Sequence, residues 1–250
     1  MTTSEKLIKI AENVEKNVEY GKSQGGGGDP TEAFLDIYLE GGNRKRICYA
    51  FTGDCWTEEM LRKIKYVMKP VETATSNRYA AGTFYRLNRN GTKLMDMTEV
   101  CKRFDFSECL DTSALFDNAK VKNVTVNASK SRTLSRAFAA GDNGEINNVT
   151  VTVTEACTNF NQMFYYQSKI TEVRFTDGSV IAANIDFQRS VLLSAESYHS
   201  IMNALSATVT GKTISLPAYA TVKATYDAKY GEGAWDIIAA SKSNWTFAYA

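Results

Sequence analysis

The chain reads as an α+β protein. An N-terminal helix and a small α/β connector lead into a short stack of parallel strands with about 24–25 residues per repeat, closed by a helical C-terminal cap. Three observations carry this reading. The first is an amphipathic opening segment followed by a glycine run. The second is a recurrence of one aromatic-turn-strand unit between residues 105 and 192. The third is a C-terminal stretch whose apolar spacing changes from two residues to three and four.

The opening segment, residues 1–20, places Leu7, Ile10, Val14 and Val18 at spacings of three and four behind Ser4, a suitable N-cap. Lysines and glutamates fill its other faces, so the narrow apolar stripe is expected to dock on a partner or to oligomerise. Residues 21–30, with Gly25 to Gly28, read as a linker. Residues 31–104 read as a mixed connector. Within it, Phe34 to Leu39 form a second amphipathic segment, CYAF reads as a short buried strand, and TEEMLRKIKYVMKP reads as a helix stopped by Pro70. Arg44, Lys45 and Arg46 are read as a solvated turn, since three charges do not make a patch.

The repeat is the informative part. SALFDNAKVKNVTVNAS, SRAFAAGDNGEINNVTVTVT and NQMFYYQSKITEVRFTDGS each carry an aromatic, a polar turn and a strand of apolar–x–x–Val–x–apolar form. The aromatics are Phe116, Phe138 and Phe164, and the strands begin at Val121, Ile146 and Ile170. One short strand cannot bury its face alone, whereas stacked copies make a continuous parallel sheet. Val124/Val126, Val149/Val151 and Val173/Phe175 then point inward, and Thr125, Thr150 and Arg174 point outward as a candidate binding face. Tyr165 and Tyr166 are expected to pack in the aromatic column, and to serve as protein or glycan contacts where exposed. In the C-terminal region, 193–250, Leu193, Tyr198, Ile201, Met202 and Leu205 form the apolar side of a capping helix. A strand, two helices and a last strand follow, and Trp235, Ile237, Ile238 and Trp245 are expected to bury.

Composition narrows the function. Lysine plus arginine number 29 against 28 acids, which argues against wrapping nucleic acid. Apolar runs are only a few residues long, as at Val180 to Ala183, so membrane insertion is not expected. The N-terminus carries Glu5, Glu12 and Glu15 where a signal peptide needs an apolar stretch. The five cysteines, at spacings without a C-x2-C knuckle, and the single His199 offer no disulfide framework and no zinc site. Glu172 and Asp177 do not fall on one strand face as a glycosidase pair would. No catalysis, cofactor or metal is expected.

The third unit, Met163 to Phe175, resembles the BspA-like leucine-rich repeat almost position by position. The opening SEKLIKIAENVEK, the segment GNRKRICYAFTGDCW, the entry DFSECLDTSALF and the closing VLLSAESYHSIMNALS resemble phage and prophage proteins of gut Firmicutes. Units one and two depart from the pattern, as does the tail from Pro217 onward. The resemblance implies a leucine-rich-repeat-like solenoid. It also implies a virion structural protein of the tail, tail fibre or host-attachment apparatus, made in the host cytoplasm. Its implied partners are other virion proteins at the N-terminal helix, further copies of the chain in a homo-oligomer such as a trimer, and a host surface protein or glycan. The alternative is a non-catalytic cellular interaction module or adhesin with the same repeats.

Overall fold

The computed structural model describes residues 48–67, 79–141 and 144–250. The N-terminal stripe of Leu7, Ile10, Val14 and Val18, the glycine linker and the Arg44 to Arg46 cluster lie outside the described residues. The described protein is a mixed α/β structure in which short parallel strands form four small sheets accompanied by few helices.

Its first elements are α1 (Glu58–Arg62), capped by the Thr57 hydroxyl, and β1 (Tyr66–Val67). Then come β2 (Met95–Asp96), α2 (Thr98–Cys101), β3 (Phe104–Asp105), β4 (Lys120–Lys122) and β5 (Val124–Asn127). Next are β6 (Glu145–Ile146), β7 (Asn148–Thr152), β8 (Glu172–Phe175) and β9 (Ile185–Asp186). The C-terminal part holds α3 (Ala195–Ala204), β10 (Lys212–Leu216), α4 (Tyr219–Tyr230), α5 (Ala234–Ala240) and β11 (Trp245–Tyr249). Every sheet is parallel: β1-β3, β2-β4-β6, β5-β7-β8 and β11-β10-β9.

The register follows the sequence period. Val124 pairs with Val149 and Val149 with Val173, while Val126 pairs with Val151 and Val151 with Phe175. All six are buried, because alternation points them to one face of the pleat. Behind the strands six phenylalanines stack in order: Phe51, Phe84, Phe116, Phe138, Phe164 and Phe187. Successive ring centroids are 5.7, 4.8, 6.3, 5.6 and 5.0 Å apart. The column therefore begins well before residue 105, where the period becomes legible in the sequence.

The backbone around each phenylalanine explains how tiers without regular strands stay satisfied. Alternate N–H groups bond inward to the carbonyl three residues back, as in Tyr85 to Gly82, Asp117 to Ala114, Ala139 to Arg136 and Tyr165 to Gln162. The intervening N–H groups bond to the next tier, as in Phe84 to Leu115, Phe116 to Ala137 and Phe138 to Met163. Each donor thus has a partner, as burial demands. The geometry places the residue two before the phenylalanine in the left-handed region at Tyr49, Gly82, Ala114, Arg136 and Gln162. The residue two after it is left-handed at Gly53, Arg86, Asn118 and Tyr166. CYAF is consequently a turn and not the strand expected from its apolar run, since Tyr49 at φ 54° cannot continue a strand.

A side-chain ladder runs along the strand starts. The Asn123 amide donates to the Asp96 carboxylate at 3.2 Å, the Asn148 amide to Asn123 Oδ1 at 2.9 Å, and the Thr171 hydroxyl to Asn148 Oδ1 at 3.0 Å. These partners sit one tier apart, so the ladder fixes register as well as satisfying polar atoms.

The last strand of the central sheet, β8, is covered by α3. Ser197 Oγ accepts from the Val173 N–H at 3.0 Å and Ser200 Oγ from the Phe175 N–H at 2.8 Å. The hydroxyls take the place a further strand would occupy, which closes an edge that would otherwise invite pairing. Leu193, Tyr198, Ile201, Met202 and Leu205 bury as expected. Trp235 and Trp245 are also buried, and Ile238 packs partly against the core. Ile237 departs from expectation and is 74% exposed. It follows Trp235 by two residues, about 200° around the helix, so α5 turns it outward when Trp235 turns in.

Candidate binding surfaces

Two surfaces collect polar and aromatic side chains, one at the strand face of Thr150 and Arg174 and the other around Tyr166. Thr125, Thr150 and Arg174 do stand in register on the outer side of β5, β7 and β8. Thr125 and Arg174 are exposed and Thr150 is half-buried. Thr150 and Arg174 line a groove of about 640 Å³ between the strand ends and α3, whereas Tyr166 lines a different cavity.

The groove is completed by residues that strand periodicity does not reveal: Asp177 after β8, Glu196, His199 and Asn203 on α3, and Tyr230 at the end of α4. His199 Nδ1 lies 2.8 Å from the Tyr226 hydroxyl, and its ring stacks on Tyr230 with centroids 5.1 Å apart. Arg174 is held by Glu172 at 3.2 Å, and Lys229 pairs with Glu196. Hydrogen bonding to the Glu172 carboxylate raises the Arg174 guanidinium pKa further, so it stays a cation. Arg174 and Glu196 are thus held in ion pairs, while the Asp177 carboxylate also lines the groove.

The second surface lies at the turns beside the phenylalanine column. Tyr49, Tyr165 and Tyr166 are exposed, at 52%, 37% and 52%. The last two were expected in the column, but phenylalanines fill every place in it. They stand one and two residues past Phe164, in the turn that faces outward. Their rings meet edge to face at 4.2 Å. The Arg136 guanidinium lies 5.7 Å from the Tyr165 ring and Arg189 lies 5.8 Å from Tyr166. Arg136 also joins tiers: it donates to the buried Asp117 at 2.8 and 3.1 Å and to Gln162 at 3.1 Å. That bond to Asp117 raises the Arg136 pKa.

Beside Tyr166 opens a cavity of about 520 Å³, lined also by Arg89, Lys120, Glu145 and Lys169. Arg89 Nε is buried without a hydrogen-bond partner. Gly141 and Gly144 also line the cavity. A Cβ on Gly144 would meet the Asn118 Cα at 2.8 Å, so glycine is needed where the chain passes Asn118. The sequence signal for this surface was arginine and tyrosine recurring within two residues of the column phenylalanines. It is visible only once all six of those phenylalanines are identified.

Among the described residues no group of three or more His, Cys, Asp or Glu side chains gathers as a metal site, and no helix is long and apolar enough to cross a membrane. Cys109 and Cys157 are buried, while Cys55 is exposed. Comparison with protein-family models, with curated proteins and with solved structures finds no match to this chain.

Proposed function

We propose that the chain is a phage virion structural protein, a component of the tail, tail fibre or host-attachment apparatus. In this reading its described part is a BspA-like leucine-rich-repeat solenoid that presents side chains for binding a host protein or glycan. The N-terminal segment docks on a neighbouring virion protein, and the chain assembles as a homo-oligomer. The observation that supports a presenting scaffold is the constant parallel register from Val124 through Val149 to Val173. Backbone groups are consumed in stacking the tiers, which leaves side chains at repeated positions free for recognition. The virion setting rests on the resemblance of the third repeat and of the flanking segments.

The test is localisation on intact particles. Particles of the encoding phage are purified by density gradient and labelled with immunogold against this chain. Label at the distal tail supports host attachment, and label on the tube or capsid supports a structural subunit. Particles free of the chain overturn the reading in favour of a cellular interaction module.

A further inference from the structure

We propose that the turn-side surface around Tyr166 is a binding site for a saccharide chain bearing a fixed negative charge, with the anionic group seated between Arg89, Lys120 and Lys169. This deepens the binding half of the proposed function and rests on that reading only for its biological setting.

Three observations converge. The cavity beside Tyr166 is lined by three cations, Arg89, Lys120 and Lys169, against one carboxylate, Glu145, among the described residues. Lys120 Nζ donates to the Gly91 carbonyl at 2.7 Å, a bond that holds the ammonium in place without neutralising it. Arg89 lines the same cavity and its Nε is buried without a hydrogen-bond partner, so a carboxylate or phosphate drawn to its guanidinium would meet a group whose donors are not all spent within the protein.

Next to this charged pocket stands an aromatic rim. Tyr166 and Tyr165 are exposed, whereas Phe160, Phe164 and Phe175 of the same repeat are buried. The charge of Arg136 is matched by Asp117, but Arg189 stands over Tyr166 and adds a cation at the mouth. A sugar ring offers an apolar C–H face to a tyrosine ring and hydroxyls to Asn90 and Ser168 in the cavity lining. A single-stranded nucleic acid fits less well. The two tyrosines meet at 62° instead of opening parallel slots for bases, and the whole chain carries a formal charge of only +1.

The full-length chain would be tested by surface binding against four immobilised probes: oligogalacturonate, its fully methyl-esterified neutral form, a glycerol-phosphate polymer and oligo-dT. The expected result is binding to one or both anionic sugar-type probes, falling with salt, and none to the neutral ester. The carboxylate and phosphodiester arms separate the two sources of charge. Lys169→Glu and Tyr166→Asn should each weaken binding about tenfold or more, the size of one interface anchor. Asparagine tolerates the left-handed backbone at position 166, so the variant keeps its fold. Arg174→Ala, in the other groove, should change nothing, and thermal melts confirm that each variant is folded. Equal binding to the neutral ester, tighter binding to oligo-dT, no binding to either anionic probe, or loss only in Arg174→Ala would each overturn the proposal. Particle labelling reads the virion assignment separately, so either result can fail alone.

Discussion

Replacing Ser197 by alanine isolates the contact that ends the central sheet. Val173 on β8 has no strand beyond it, and its N–H is met by Ser197 Oγ at 3.0 Å. Both residues have no exposed surface, so no water can replace the lost hydroxyl. A buried donor left without a partner costs about 1–3 kcal/mol, and the dry setting places Ser197→Ala in the upper half, about 2–3 kcal/mol. For a chain of this size that is roughly 5–10 °C in melting temperature. Ser200 does the same for the Phe175 N–H at 2.8 Å but borders the open groove, where water can step in. Ser200→Ala should therefore cost less, about 1 kcal/mol. Urea unfolding gives the size, and native-state hydrogen exchange gives the place: the Val173 amide should lose protection first. A cost below about 0.5 kcal/mol for Ser197→Ala with the Val173 amide still protected would refute the edge-closing role. A larger effect from Ser200→Ala would do so too.

Three further outcomes follow from named contacts. Phe138→Ala removes a ring stacked between Phe116 and Phe164 and should destabilise by about 3–5 kcal/mol in urea titration, with retained parallel-sheet circular dichroism below the new midpoint. Burial pushes the Asp96 carboxyl up, but hydrogen bonds from Thr98, Asn123 and Lys122 outweigh it and hold the group at about 2. A folded-state pKa below the unfolded value of about 4 gives stability that is present above pH 4 and lost as pH falls towards 2. After discounting for solvent, this is about 1–2 kcal/mol, so the acid limb of the stability profile should be shallower in Asp96→Asn. Burial pushes the Cys157 thiol up to about 11 and that of Cys101 up to about 12. Disulfide-exchange labelling at pH 8 should therefore modify Cys55 promptly and leave Cys101, Cys109 and Cys157 unmodified until urea unfolds the chain.

The strands were legible because alternation is a two-residue signal that burial enforces directly. Val124, Val149 and Val173 had no other face to occupy. Half of the aromatic column was legible for the same reason, since Phe116, Phe138 and Phe164 each precede a recognisable strand. Phe51, Phe84 and Phe187 were not, because their tiers continue into longer or differently shaped segments; Phe84 lies 32 residues before Phe116. The closing serines carried a faint signal, with Ser194, Ser197 and Ser200 every third residue on an otherwise apolar helix side.

What periodicity hides is the backbone of the turns. Left-handed residues are usually announced by glycine or asparagine, yet here Ala114, Arg136, Gln162 and Tyr166 adopt that conformation. Each costs about 1–2 kcal/mol relative to a relaxed backbone. The cost is tolerated because a single tier places one N–H in its own turn and the next on its neighbour, so any shift would break two hydrogen bonds. The same constraint decides where recognition can evolve. Side chains one and two residues past the column phenylalanines differ from tier to tier while the backbone bonding pattern stays the same. They are Tyr85 and Arg86 in one tier, the buried Asp117 and the half-buried Asn118 in the next, the buried Ala139 and Ala140 in the third, and the exposed Tyr165 and Tyr166 in the fourth. Of these four tiers only the last exposes both positions, and there Tyr166 borders the cavity lined by Arg89, Lys120 and Lys169.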